Sequence, residues 1–179
     1  GLDRSGAAEP AAAAKPKGEQ EVKKQVRPGS GVIREVSLYI SRSGDANLPP
    51  EVVQKAKHHI LDTLAAIVSG SEMKAGKVAI PFARSQGGVE EAQVINSKVV
   101  TSAINAAFAN AMMAHADETD DSHEKSLTHP GCAVVPAALA VAEREGADGM
   151  RFLKAVVAGY DVGPRFTMAI GVDNLRNKG

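Results

Sequence analysis

From residue 32 onward the apolar residues of this chain fall three and four positions apart, and that period restricts the fold more than any other feature. In EVVQKAKHHILDTLAAIVSGS, Val53, Ala56, Ile60, Leu64 and Ile67 draw one apolar stripe along a helix; Pro50 suits its first turn and Gly70 its end. A shorter helix, VIREVSLYISRS, precedes it across the turn-forming GDANLPP, and a third is predicted over residues 72–86. Strand character is confined to a fragment around Gln93 to Ile95, too short to build a sheet alone. The predicted class is therefore all-α, an irregular multi-helix bundle with kinked helices.

The next segment, TSAINAAFANAMMAHA, has seven alanines between residues 103 and 116 and a capping residue in Thr101 or Ser102. It predicts a thin helix able to lie deep. Ile104, Phe108 and Ala111 form its expected inward stripe, which carries His115 toward the core side. Thr128, His129 and Pro130 read as a helix start, with the helix running to about Glu145 and stopping at Gly146. Free N–H groups near Gly131 and Cys132 would favour an anion such as a substrate carboxylate. Pro136 either kinks this helix or moves its start later. In the last helix, GMRFLKAVVAGYDVGPRFTMAIG, Ala155, Gly159 and Gly163 give a small-residue side for close contact, with Pro164 as a second kink. His58 and His59, beside Lys55, Lys57 and Asp62, read as surface histidines.

Composition removes several classes of partner. Twenty-one basic and 21 acidic side chains cancel, leaving no electrostatic footprint for nucleic acid or a membrane surface. Aromatic residues make up 3% of the chain, with no Trp, so stacking platforms for single strands are missing. Cys132 is the single cysteine, which excludes an internal disulfide and an iron–sulfur cluster held by this chain. The longest nearly apolar run, CAVVPAALAVA, is too short to span a bilayer. The first thirty residues carry six basic residues, four acids and three prolines with almost nothing to bury, and predict a disordered head over residues 1–31 before one helical domain over 32–179. Beginning with Gly and rich in Ala and Pro, that head is either what remains after removal of an export signal or an arbitrary boundary. The expected location is cytoplasmic, or periplasmic in the first case.

Within this frame HADETDDSHEKSLTH, residues 115–129, gathers three of five histidines and five carboxylates around one lysine, Lys125, expected in water. A calcium loop is excluded, because the alternating oxygen ligands, the sixth-position glycine and the closing glutamate of an EF-hand are missing. Zinc ligands could come from His115, His123, His129 and a carboxylate, yet no short H-x-x-x-H pair is present. DDSHE at 120–124 matches the magnesium-diphosphate pattern DDxx[DE] of helical isoprenoid synthases, but the aromatic rings those enzymes use to steady carbocations are lacking. Metal-free acid–base chemistry fits better. Removing a proton beside a carboxylate and expelling a neighbouring hydroxyl needs a base, an acid and fixed positive or dipolar groups. Crowded carboxylates and histidines can supply such a pair.

The arrangement LPPEVVQKAKHHILDTLAAIVSGS, INAAFANAMMAHADETDDSH, THPGCAVVPAALAVAE and FLKAVVAGYDVGPR, over about residues 32–171, resembles the N-terminal part of the MmgE/PrpD family. The resemblance implies a large helical domain paired with a smaller α/β lid, a homodimer, and a lyase or isomerase of small di- or tricarboxylates that needs no cofactor or metal. Against the family pattern H-A-x-D-x-D-D-T followed by H-P, His115, Asp120, Asp121, His129 and Pro130 match; His129 takes the place of the active-site histidine, and Ser122 that of the threonine. Glu118 replaces the first aspartate, or Asp117 assumes its role, and the segment from Ser122 to His129 is about one residue longer than in the familiar dehydratases. The candidate catalytic residues are therefore His129, Asp121, Glu118, Ser122 and Asp117, with His115, Asp120, His123, Gly131 and Cys132 for substrate. Full-length relatives complete their pocket with side chains from beyond this length of chain, so the 179-residue piece is expected to be inactive alone.

Overall fold

The computed structural model describes residues 31–178. The head expected over 1–31 lies, apart from Gly31, outside the described residues. The helical period is realised throughout: α1 (Gly31–Ser43), α2 (Pro50–Ser71), α3 (Lys74–Gln86), α4 (Ala103–Ala114), α5 (Pro130–Glu145), α6 (Gly149–Ile170) and α7 (Val172–Lys178). Between α3 and α4 two short strands, β1 (Ala92–Gln93) and β2 (Val100–Thr101), pair antiparallel with Ala92 opposite Thr101. The fragment around Gln93 thus finds a partner in residues that otherwise read as the approach to a helix cap. The fold is all-α with one small hairpin.

Helix α4 is the centre of the molecule and packs against α5, α2 and α3. Its N-terminus is capped by the Ser102 side chain, which accepts from the Asn105 amide, while the Glu91 carboxylate accepts from the Ala103 amide at 2.9 Å. The face that packs is made of Ala103, Ala106, Ala109 and Met113. The expected inward stripe of Ile104 and Phe108 is corrected: Ile104 is 79% exposed and Phe108 51%. Packing three helices around one favours the face whose side chains end at Cβ, so size outranks hydropathy here. Ile67, Val94, Val99 and Ala140 complete the core from α2, the hairpin and α5.

Two close approaches fix the layout. A side chain on Gly70 of α2 would run into the Met113 carbonyl, so α2 and α4 touch backbone to backbone. Asn110, buried on α4, accepts from the Ile95 amide at 2.9 Å and donates to the Gln93 carbonyl at 3.0 Å, satisfying its amide and locking the hairpin to the helix. Helix α5 begins at Pro130 and retains Pro136 inside it, fully buried, which decides against a later start. On α6 the small-residue side narrows to one position. Gly159 lies against Val134 of α5, whereas Ala155 and Gly163 are exposed. No helix of the described residues is long and apolar enough to cross a membrane.

Candidate active site

The acidic segment runs between the C-terminus of α4 and the N-terminus of α5, and two neighbouring aspartates divide its connections. Asp120 has no side-chain exposure; the His115 Nδ1 lies 3.2 Å from its carboxylate and the His129 Nδ1 3.6 Å. His115 is the residue that ends α4 and His129 the one that precedes α5, so both imidazoles are placed by helix termini. Their rings stand 5.1 Å apart. The His129 Nδ1 is buried without a hydrogen-bond partner. Cys132, one turn into α5, donates to the His129 carbonyl at 3.1 Å, and burial together with Asp120 pushes its thiol up to about 11.

Asp121 faces a different set. Its Oδ2 lies 3.1 Å from the His59 Nδ1 on α2, and its Oδ1 accepts the Gly131 amide at 2.9 Å. The Gly131 amide, one of the N–H groups of α5 expected to favour a substrate anion, is thus occupied by the chain's own carboxylate. Gly131 is required there. A Cβ would meet Asp121 Oδ1 and Thr63 Oγ1 at 2.7 Å and the Tyr160 hydroxyl at 2.8 Å. Tyr160 packs its ring 5.0 Å from that of His59; burial and the Asp121 carboxylate hold its pKa well above the ordinary value, and its hydroxyl has no hydrogen-bond partner.

His59 is thus no surface histidine, although His58 is exposed as expected. It was visible in the spacing after all: Ala56, His59, Thr63, Ala66 and Gly70 follow one another by three and four, and two polar residues on a buried stripe are a signal of partnered burial. Thr63 resolves its own polarity by donating to the His59 carbonyl at 2.9 Å.

The other expected site residues stand apart. Asp117 accepts from Ser69 of α2 at 3.0 Å and from Thr119, and those hydroxyls hold its carboxyl below the usual range. Its oxygens therefore tie the loop to α2. Glu118 and Ser122 are exposed, and Glu118 adopts a φ of 55°. His123 turns into its own loop, meeting Ser126 Oγ at 2.8 Å while its amide donates to the Thr128 carbonyl at 2.8 Å. It closes a tight turn and joins neither imidazole. Lys125 is exposed.

That dispersal weighs against the metal patterns drawn from sequence. Asp120 is buried and Asp121 engaged, so DDSHE presents no common face for magnesium. Among the described residues the one group with metal-ligand spacing is His115, Asp120 and Cys132, whose ligand atoms lie within 4.8 Å of one another. A cavity of about 480 Å³ lies elsewhere, between α1 and α6 around Tyr39, Asp161 and Phe166, and holds none of the expected site residues.

What fold and site define together is a helical domain with an imidazole–carboxylate cluster at a helix junction. The chain belongs to the MmgE/PrpD family: residues 34–177 match the MmgE/PrpD N-terminal domain. It is similar to a cis-aconitate decarboxylase of Aspergillus terreus, 28% identical over 155 residues, which are 84% of this chain and 32% of that protein. The cis-aconitate decarboxylase-like protein oryM of Aspergillus oryzae is 27% identical over 159 residues, 85% of this chain and 33% of that one. The chain spans about a third of the length of these relatives.

Proposed function

We propose that residues 32–179 form the N-terminal helical domain of a metal-independent lyase or isomerase acting on small di- or tricarboxylates. The observation that carries this reading is the convergence of His115 and His129 on the unexposed carboxylate of Asp120. A carboxylate within hydrogen-bond distance of an imidazole nitrogen orients the ring, as Asp120 does for His115, and a fixed orientation is what a group that takes and returns a proton requires. In the proposed chemistry one imidazole accepts the proton from a carbon neighbouring a substrate carboxylate, and the other returns a proton to the leaving hydroxyl, which departs as water. Dehydration, decarboxylation and epimerisation each move one proton at such a carbon, and the similarity to cis-aconitate decarboxylases supports this class of acid. Glu118 and Ser122, exposed at the rim, are proposed to reach substrate from the solvent side. The homodimer and the lid implied by the family resemblance belong to the same proposal, with the remaining pocket side chains supplied from outside this chain.

The test is binding and turnover of citrate, cis-aconitate and 2-methylcitrate by the 179-residue chain, followed by NMR. The expected outcome is no product, together with ligand-dependent shifts of the His115 and His129 ring resonances. Product formed by this chain alone would overturn the division of the pocket. Absence of any shift with all three acids would overturn the site itself.

A further inference from the structure

We propose that His59 is a positioning residue for the Asp120 cluster, acting through Asp121 on the start of α5. The inference rests on reading that cluster as the site, and it begins from the unusual standing of His129. The His129 Nδ1 is buried, has no hydrogen-bond partner and stands 3.6 Å from Asp120, beyond hydrogen-bond length. Among the described residues no hydrogen bond to its Nδ1 holds the ring in place. Its location follows from the peptide that carries it, at the residue preceding α5.

That peptide is held from the other side. Two residues on, the Gly131 amide donates to Asp121 Oδ1 at 2.9 Å, and the Cys132 thiol donates back to the His129 carbonyl at 3.1 Å. Asp121 in turn is aimed by His59, whose Nδ1 meets its second oxygen at 3.1 Å. His59 is itself fixed: α2 carries it, Thr63 donates to its carbonyl, and the Tyr160 ring packs 5.0 Å away. A continuous path therefore runs from α2 through His59, Asp121 and the Gly131 amide to His129. The carboxylates along it are Asp121, facing His59, and Asp120, facing His129 and His115. With His59 removed, Asp121 loses one of its two anchors and can rotate, and the first turn of α5 follows. A small movement then decides whether His129 bonds Asp120.

Two substitutions separate this role from simple packing. His59→Phe keeps a ring against Tyr160 and removes the donor; His59→Asn places an amide nitrogen where Nδ1 stands and retains it. In ligand-free NMR titrations, His59→Phe is expected to displace the titration midpoints of His129 and, through Asp120, His115, while His58 and His123 stay in place. Citrate affinity is expected to fall about ten-fold, as for loss of one charge-assisted contact. His59→Asn is expected to restore both readouts. Unchanged His129 and His115 curves in His59→Phe, with far-UV circular dichroism intact, would overturn the proposal. Should His59→Phe not fold, His59→Leu, which fills space beside Tyr160 without any polar atom for Asp121, is expected to show the same displacement, and its absence there would likewise overturn the proposal. A parent chain that fails to bind citrate bears on the proposed function alone, because the ligand-free titrations decide the role of His59 independently.

Discussion

At the scale of single residues, Cys132 shows how environment sets chemistry. A thiol raised from 9.0 to about 11 by burial and by Asp120 is almost wholly protonated at neutral pH, and the thiolate is the nucleophile. Two units lower the thiolate fraction about a hundred-fold. Iodoacetamide is therefore expected to label the folded chain about a hundred-fold more slowly than the urea-unfolded chain at pH 8, with the folded rate climbing steeply toward pH 11. Equal rates in the two states would show an ordinary thiol. The same scale explains which site residues were readable from sequence. His115, Asp120 and His129 lie in one short segment whose crowding is visible in a single pass. His59 had only the three-and-four stripe of its own helix to mark it, and that was outweighed: its carboxylate partner is remote in sequence and its neighbours Lys55, Lys57 and Asp62 give the local pattern of a wet face.

At the scale of elements, the close contact of α2 and α4 is set by Gly70. Alanine there gains helix propensity of about 0.8–1.0 kcal/mol, but its methyl group would overlap the Met113 carbonyl and push two backbones apart. Overpacking of this kind costs about 1–3 kcal/mol or more, so Gly70→Ala is expected to lower the urea midpoint, whereas an alanine at exposed Gly149, with open space at its Cβ position, is expected not to. An unchanged midpoint for Gly70→Ala would mean the helices are free to separate. Helix positions were legible because caps, prolines and period agree: Pro50, Ser102, Pro130 and Gly146 all mark ends where expected. The inward face of α4 was not. Hydropathy nominated Ile104 and Phe108, while the geometry of a central helix selected the alanines. Phe82 and Phe108, 5.8 Å apart, are left together on the outside.

At the scale of the whole molecule, two carboxylates tie distant elements, and the expected consequence is a pH-dependent stability. Asp117 joins the acidic loop to α2 through Ser69, and its pKa is lowered by the Thr119 and Ser69 hydroxyls. Asp161 joins α6 to α1 through Tyr39 and to Arg165; partial burial pushes its pKa up, but the Tyr39 and Arg165 bonds outweigh that and the net direction is down. A carboxylate with a depressed folded pKa contributes stability that is present above its unfolded value, near 3.8, and is lost as pH falls through the folded one. Thermal stability is thus expected to fall below about pH 4, and Asp161→Asn to narrow the gap between melting temperatures at pH 7 and pH 3. A gap of the same width in that variant would remove Asp161 from the account.

The acidic segment also divides into a part that counts residues and a part that does not. Asp120 looks to the end of α4 and the start of α5, Asp121 to α2, and their assignments depend on how many residues separate them from His115. One insertion before Asp120 would put Thr119 in Asp120's place and Asp120 in Asp121's, leaving His115 and His129 without a carboxylate. Beyond Ser122, the turn closed by His123 and Thr128 is bonded within itself, so an added residue there enlarges that turn. This connection can therefore be lengthened on one side without rewiring the aspartates, and the stretch from His123 to Thr128 is the permissive side.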